Sequence, residues 1–176
     1  MIKTPYDRVI EKFLDREVQP ASRIIDVGCG TGWTALFLAR RKPGSQIVGI
    51  DIDTLTVHRA NALFRRARRE KLVQCHRCGV EQLRVRFGTQ MFDCAITSHT
   101  LHHFERPAAA LRQIRAVLKR GGRLLLVELS PRYGEALDDC PRYSLVKIKE
   151  FVRRAGFRRV GGAERAPGVV LVRASR

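Results

Sequence analysis

Apolar and polar positions fall into blocks of two periods along the chain. Tyr6 to Val18 sets Val9, Ile10, Phe13 and Leu14 at helical spacing, which predicts an amphipathic helix. Arg23 to Val27 is a short β-branched run read as a buried strand, and a helical stretch, Thr34 to Arg41, ends at Pro43-Gly44. Gln46 to Asp51 predicts a second strand. Thr54 to Lys71 predicts a long helix with Val57, Ala60, Leu63, Phe64 and Ala67 on its buried side. Further strands are expected at Leu72 to His76, Phe92 to Thr97 and Arg123 to Glu128. Between the last two, a helix opens at Pro107, carries Leu111, Ile114, Val117 and Leu118, and closes at Gly121-Gly122. Ser144 to Ala155 reads as a helix ended by Gly156. A hairpin follows, Arg159 to Ala163 with Val169 to Arg173, around Ala166-Pro-Gly168. Strands alternating with helices from 23 to 156 imply an α/β doubly wound fold with helices on both faces. Seven strands are expected, mostly parallel, with the hairpin giving an antiparallel C-terminal edge strand.

The first strand runs into Gly28, Gly30 and Gly32 and then a helix. Glycines there let the backbone turn sharply and approach a bound molecule, and the new helix aims its free N–H groups at the same spot. This predicts a nucleotide-type pocket at the carboxyl edge of the sheet. A dinucleotide fingerprint would put its third glycine at position 33, which is Trp33. Asp26, two residues before the first glycine, would repel a pyrophosphate and suits a positively charged ligand. Asp51 closes the second strand, placed to accept both ribose hydroxyls, while Asp53 or Thr54 is better placed to cap the following helix.

The run Asp26-Val-Gly-Cys-Gly-Thr-Gly32 resembles motif I of the class I S-adenosylmethionine (SAM)-dependent methyltransferases. Cys78-Gly-Val-Glu-Gln-Leu83, Phe92-Asp-Cys-Ala-Ile-Thr97 with Leu101-His-His103, and Leu118-Lys-Arg-Gly-Gly-Arg-Leu124 are similar to further segments of that family. The resemblance covers roughly residues 20 to 173. It implies SAM as cofactor, S-adenosylhomocysteine as product, and transfer of the methyl group by in-line displacement. It implies SAM contacts from Asp26, Gly28, Cys29, Gly30, Gly32, Asp51, Ile52, Gly79, Val80 and Thr97. Gly79 stands where the family usually carries the Asp that binds the adenine amino group, which leaves the base edge to the backbone of Val80. His99, His102 and His103 flank the position of the transferable methyl and are candidate general bases. Tyr6 is a candidate lid residue. Glu128 would orient a substrate or be solvated. The chain is read as one methyltransferase domain over 1–176. Within it, 1–20 is an N-terminal helix, 21–130 the SAM-binding core, and 131–176 a short substrate-side part with Glu135, Asp138 and Asp139 in its loop.

Charge widens the choice of partner. The 34 basic residues (7 of them Lys, the rest Arg) outnumber the 17 acidic ones, giving +17. Clusters at Arg65-Arg66, Arg68-Arg69-Glu70-Lys71, Arg153-Arg154 and Arg158-Arg159 make an RNA-directed methyltransferase one alternative, although no aromatics interleave with them to stack bases. A SAM-binding module that needs a partner is another. A small-molecule substrate is the main expectation, and Trp33 and Asp26 argue against a nicotinamide dehydrogenase. No apolar run approaches the roughly 20 residues of a membrane span, and a cytoplasmic protein is expected; nothing in the sequence fixes an oligomeric state. Five cysteines argue against a disulfide framework. Cys75-His-Arg-Cys78 has zinc-like spacing but no second pair, so no metal is expected.

Overall fold

A computed structural model describes residues 5–133, 140–166 and 168–176. Its strands are β1 (Arg23–Val27), β2 (Gln46–Asp51), β3 (Val73–Arg77), β4 (Phe92–Ser98), β5 (Leu118–Leu129), β6 (Arg158–Ala166) and β7 (Val169–Ser175). They form one seven-stranded sheet in the order β3-β2-β1-β4-β5-β7-β6. The first five run parallel, and β7 pairs antiparallel with both β5 and β6. The expected doubly wound sheet is present. Its antiparallel strand, β7, lies one place in from the edge, and β6 forms the rim.

The helices are α1 (Pro5–Glu17), α2 (Trp33–Arg41), α3 (Thr54–Arg66), α4 (Leu83–Phe87), α5 (Pro107–Val117) and α6 (Leu145–Arg154). Both faces of the sheet are covered, so its strands are apolar on both sides. Along β5, Leu124 and Leu126 enter one core with Leu111, Ile114, Ile148 and Val152. Leu125 and Val127 enter the other, with Ile10, Leu14, Leu38 and Phe64. This period-two division places α4, α5 and α6 on one face and α1, α2 and α3 on the other.

Two elements end earlier than their apolar pattern predicts. α3 stops at Arg66 rather than Lys71. Arg68 takes a left-handed φ of 53°, its N–H donates to Arg65 O, and Arg69 N–H donates to Phe64 O. That closure usually uses glycine at the left-handed position, and here it turns the chain into β3 without one. Leu63, expected to be buried, is 36% exposed. α5 ends at Val117, and Lys119 to Gly122, read as a turn, is a bulge within β5: Phe92 pairs with Leu118, and pairing resumes at Cys94 with Arg123. Sheet pairing overrides the helical spacing of Leu118. Tyr6 lies in α1 with its side chain outside the described residues, as do Glu135, Asp138 and Asp139. No helix among the described residues is long and apolar enough to cross a membrane.

Candidate cofactor and active site

The five parallel strands end at one edge of the sheet, and the expected site residues gather there. Gly28 and Cys29 N–H both donate to Ile50 O, at 2.8 and 2.9 Å, pinning the glycine loop to the end of β2. Gly28 has φ 71°, and a Cβ there would lie 2.2 Å from Thr100 Cγ2. Gly32, at φ 86°, heads α2; a Cβ on it would meet the Phe64 ring at 2.6 Å. Both positions demand glycine by conformation and by space. α2 carries no acid in its first turn and no side-chain cap, so its N–H groups open toward the loop.

Two carboxylates bracket this loop. Asp26 in β1 is 1% exposed, and its Oδ2 has no hydrogen-bond partner among the described residues. Burial, with a smaller push from the charge of Asp51, raises its carboxyl to about 7. Such a group is stabilised by a positive charge placed beside it. Asp51 ends β2, half-buried. Its Oδ2 accepts from Gly30 N–H and its Oδ1 from Asp53 N–H, both at 3.0 Å. Asp53 caps α3 through Leu55 N–H and the Thr56 hydroxyl, as its position predicts.

Beyond Asp51, a cleft of about 230 Å³ is lined by Ile52, Arg77, Cys78, Gly79 and Gln82. Ile52 is 73% exposed, an apolar wall for a flat ring. Gly79 lines this cleft, while the Val80 side chain is buried in the core and leaves only its backbone toward the site. Arg77, which closes β3 and donates to Ile52 O, was not foreseen. The Cys29 side chain turns inward against Cys75, which with burial pushes its thiol strongly up. Cys29 can therefore serve a ligand only through its backbone. A larger hollow of about 520 Å³ lies at the opposite edge, among Glu17, Ser22, Asp93 and Arg123, away from the glycine loop.

The acceptor side is built at the ends of β4 and β5. Thr97 is fully buried and its hydroxyl has no partner among the described residues. His99 takes a left-handed φ of 53°, its N–H donates to Val127 O, and its Nδ1 lies 3.1 Å from Ser98 Oγ. Burial pushes its imidazolium range down, which favours the neutral ring. Glu128, only 2% exposed, is not solvated. Its Oε1 accepts from the N–H of Thr100 and Leu101 at 2.9 and 2.6 Å, and its Oε2 lies 2.8 Å from His102 Nδ1. This clamp fixes the turn Leu101–His103. The Thr100 hydroxyl donates to Ser98 O at 2.9 Å and also lies 3.3 Å from Gly28 O, so this side chain packs the histidine loop against the glycine loop. The lone acid closing the apolar run of β5 was the visible signal for Glu128; nothing in the sequence marked Thr100.

Comparison with known proteins gives the family. The family model described as a methyltransferase domain matches residues 25–126. O-methyltransferase resE of Aspergillus sclerotiorum is 31% identical over 146 residues, 77% of this chain and 54% of that protein. The chain thus spans about half the length of that curated relative. Among solved structures, the [4+2]-cyclase SpnF superposes with a TM-score of 0.84 at 21% identity, covering 97% of this chain and 81% of that one. A SAM-dependent methyltransferase from Aquifex aeolicus gives 0.80 at 20% identity, covering 97% and 89%. The two structures show the same fold. With more than half of its residues matched by the family model, the chain belongs to the class I, Rossmann-like SAM-dependent methyltransferase domain family.

Proposed function

We propose that the chain transfers a methyl group from SAM to a nucleophilic atom of a small molecule. The observation that carries this reading is the buried carboxylate of Asp26 under the glycine loop, whose Oδ2 has no hydrogen-bond partner among the described residues, with the Asp51 carboxylate at its rim. When bound, SAM supplies a sulfonium-activated methyl that a nucleophile displaces in line. Asp26 lies within the sheet beneath the loop and favours the positive methionine end. Gly28, Gly30 and Gly32 bring the backbone close, and Asp51 accepts the ribose hydroxyls. Ile52 covers the base, and the backbone at Gly79 and Val80 holds its edge. His99, His102 and His103 form the acceptor-side wall, where positioning of the nucleophile supplies most of the rate; Thr97, fully buried, backs it without reaching the surface of the site. Likeness to an O-methyltransferase supports an oxygen acceptor.

Isothermal titration with SAM tests the binding half. Charge-assisted hydrogen bonds contribute roughly 1.5–3 kcal/mol each, so Asp51→Ala weakens SAM binding at least ten-fold; near-wild-type affinity would sink the assignment. The acceptor half is tested by transfer of labelled methyl from SAM into fractionated extract. Label is expected in the low-molecular-weight fraction. Label in RNA would overturn the small-molecule reading and give the +17 charge a purpose. SAM binding with no transfer anywhere would overturn autonomous activity.

A further inference from the structure

His102, His103 and Cys140 lie far apart in function space from the cysteine pair that the sequence singles out, yet the fold brings their ligand atoms together. One ring nitrogen from each histidine and the Cys140 sulfur all lie within 4.8 Å of one another. His103 Nδ1 is 3.4 Å from Cys140 Sγ. Tetrahedral zinc, with bonds of about 2.0–2.1 Å to nitrogen and 2.3 Å to sulfur, sets two such ligands about 3.5 Å apart. One edge of the coordination tetrahedron is therefore already at its working length. The neighbouring rings of His102 and His103 have centroids 4.1 Å apart.

The support behind these ligands is built. Glu128 engages His102 Nδ1 at 2.8 Å, so Nε2 is the nitrogen His102 presents to a metal. A carboxylate on the far nitrogen of a ligating histidine is the usual device for fixing its tautomer and aim. Glu128 is itself buried and held by two backbone N–H groups. Charge also balances: the Cys140 thiolate and the Glu128 carboxylate offset a divalent ion locally, in a chain whose net charge is +17. Cys75 and Cys78, in contrast, are both buried and stand outside this cluster.

We propose that His102, His103 and Cys140 form a binding site for a divalent transition-metal ion of the zinc class, these three being its ligands among the described residues. Two nitrogens and one sulfur suit zinc rather than magnesium or calcium. Three protein ligands, the number found among the described residues, is the count of a reactive site, whereas a structural site has four. The site opens to solvent, since His103 is exposed and His102 and Cys140 are half-buried. It adjoins Thr100, which stands on Gly28, and so lies on the acceptor side of the glycine loop. On the methyl-transfer reading, an ion held by these three residues would lower the pKa of a hydroxyl or thiol acceptor bound beside them, whose proton would pass to water.

Cobalt(II) titration of the chelator-treated, reduced chain tests the site without reference to activity. One equivalent is expected to bind, with a sulfur-to-cobalt charge-transfer band in the near ultraviolet that zinc abolishes. Cys140→Ser removes the band, His103→Ala weakens binding at least ten-fold, and Glu128→Gln weakens it roughly 10–100-fold. The double variant Cys75→Ser/Cys78→Ser keeps the band. Absence of stoichiometric cobalt binding overturns the proposal, as does a band that survives in Cys140→Ser or vanishes in the Cys75/Cys78 variant. Circular dichroism and SAM titration on the same samples separate loss of this site from loss of the fold or of the cofactor site: SAM binding without cobalt binding defeats only the metal, and cobalt binding without SAM binding defeats only the methyl-transfer reading.

Discussion

Thr100 stands directly over Gly28: its hydroxyl donates to Ser98 O at 2.9 Å and lies 3.3 Å from the glycine's carbonyl oxygen, and its methyl group occupies the space a Cβ would need. The two residues are 72 positions apart in sequence. They couple the loop that would hold the cofactor to the loop that would hold the acceptor.

Gly28→Ala is expected to destabilise the chain by about 3 kcal/mol. Overpacking against Thr100 costs typically 1–3 kcal/mol, and the left-handed backbone adds about 1–2 kcal/mol for an L-residue. Thr100→Ala in the same chain should recover only part of the packing share, because Thr100 Cβ would still lie 2.8 Å from the added methyl, and none of the backbone share. Urea denaturation of the two single variants and the double variant measures this, and simple additivity would deny the contact its role.

Gly79→Ala should behave oppositely. Gly79 has an ordinary φ of −77°, and an added Cβ would meet only the mobile tip of Glu81, at 2.9 Å. A change in stability within about 0.5 kcal/mol is expected. A loss as large as that of Gly28→Ala would mean that Glu81 is fixed in place.

Asp26 sets a pH dependence. Its carboxyl sits at about 7 in the fold against 3.8 ordinarily, because burial disfavours the ion. The native state therefore holds a proton that the unfolded chain has released. Its contribution to stability is complete below about pH 4, declines as pH rises, and is lost above about pH 7. A gap of about three pH units corresponds to an upper bound on the order of 4 kcal/mol. Asp26→Asn should flatten this slope and exceed the wild-type stability at pH 8, while weakening SAM binding. Urea midpoints at pH 5 and 8 decide it; parallel pH profiles for the two chains would refute the assignment.

Glu128→Ala strands the buried N–H groups of Thr100 and Leu101, at about 1–3 kcal/mol each. A loss of roughly 3 kcal/mol or more is expected, with Glu128→Gln intermediate because one amide oxygen can still accept. Hydrogen exchange at these two amides provides the local readout. Unchanged protection in Glu128→Ala would show that the clamp is dispensable.

Local chemistry was legible in the sequence wherever a residue acts on near neighbours. The glycine loop, the helix cap at Asp53 and the strand-terminal Asp51 lie within a few residues of what they organise, and their spacing announces them. The clamp of Glu128 on Thr100, Leu101 and His102 bridges adjacent strands some 26–28 positions apart, and no periodicity records that. The end of α3 was missed because Arg68 takes a left-handed turn with no glycine to mark it. The start of β5 was hidden by Gly121-Gly122, which read as a stop and serves as a bulge.

The place of β7 governs the order in which the sheet can be completed. Residues 169–175 insert between β5 and β6, so the interior strand β5 has an open side until they are available. During synthesis, β1 to β5 emerge and can pair while that apolar edge, Leu124 to Val127, still lacks its neighbour. An unpaired edge of this kind templates association with other chains. The hairpin also depends on β5 to hold it, since a two-stranded ribbon is marginal alone. A nascent chain paused before residue 169 should therefore be a client for chaperones, and release of the last strand the step that ends its exposure.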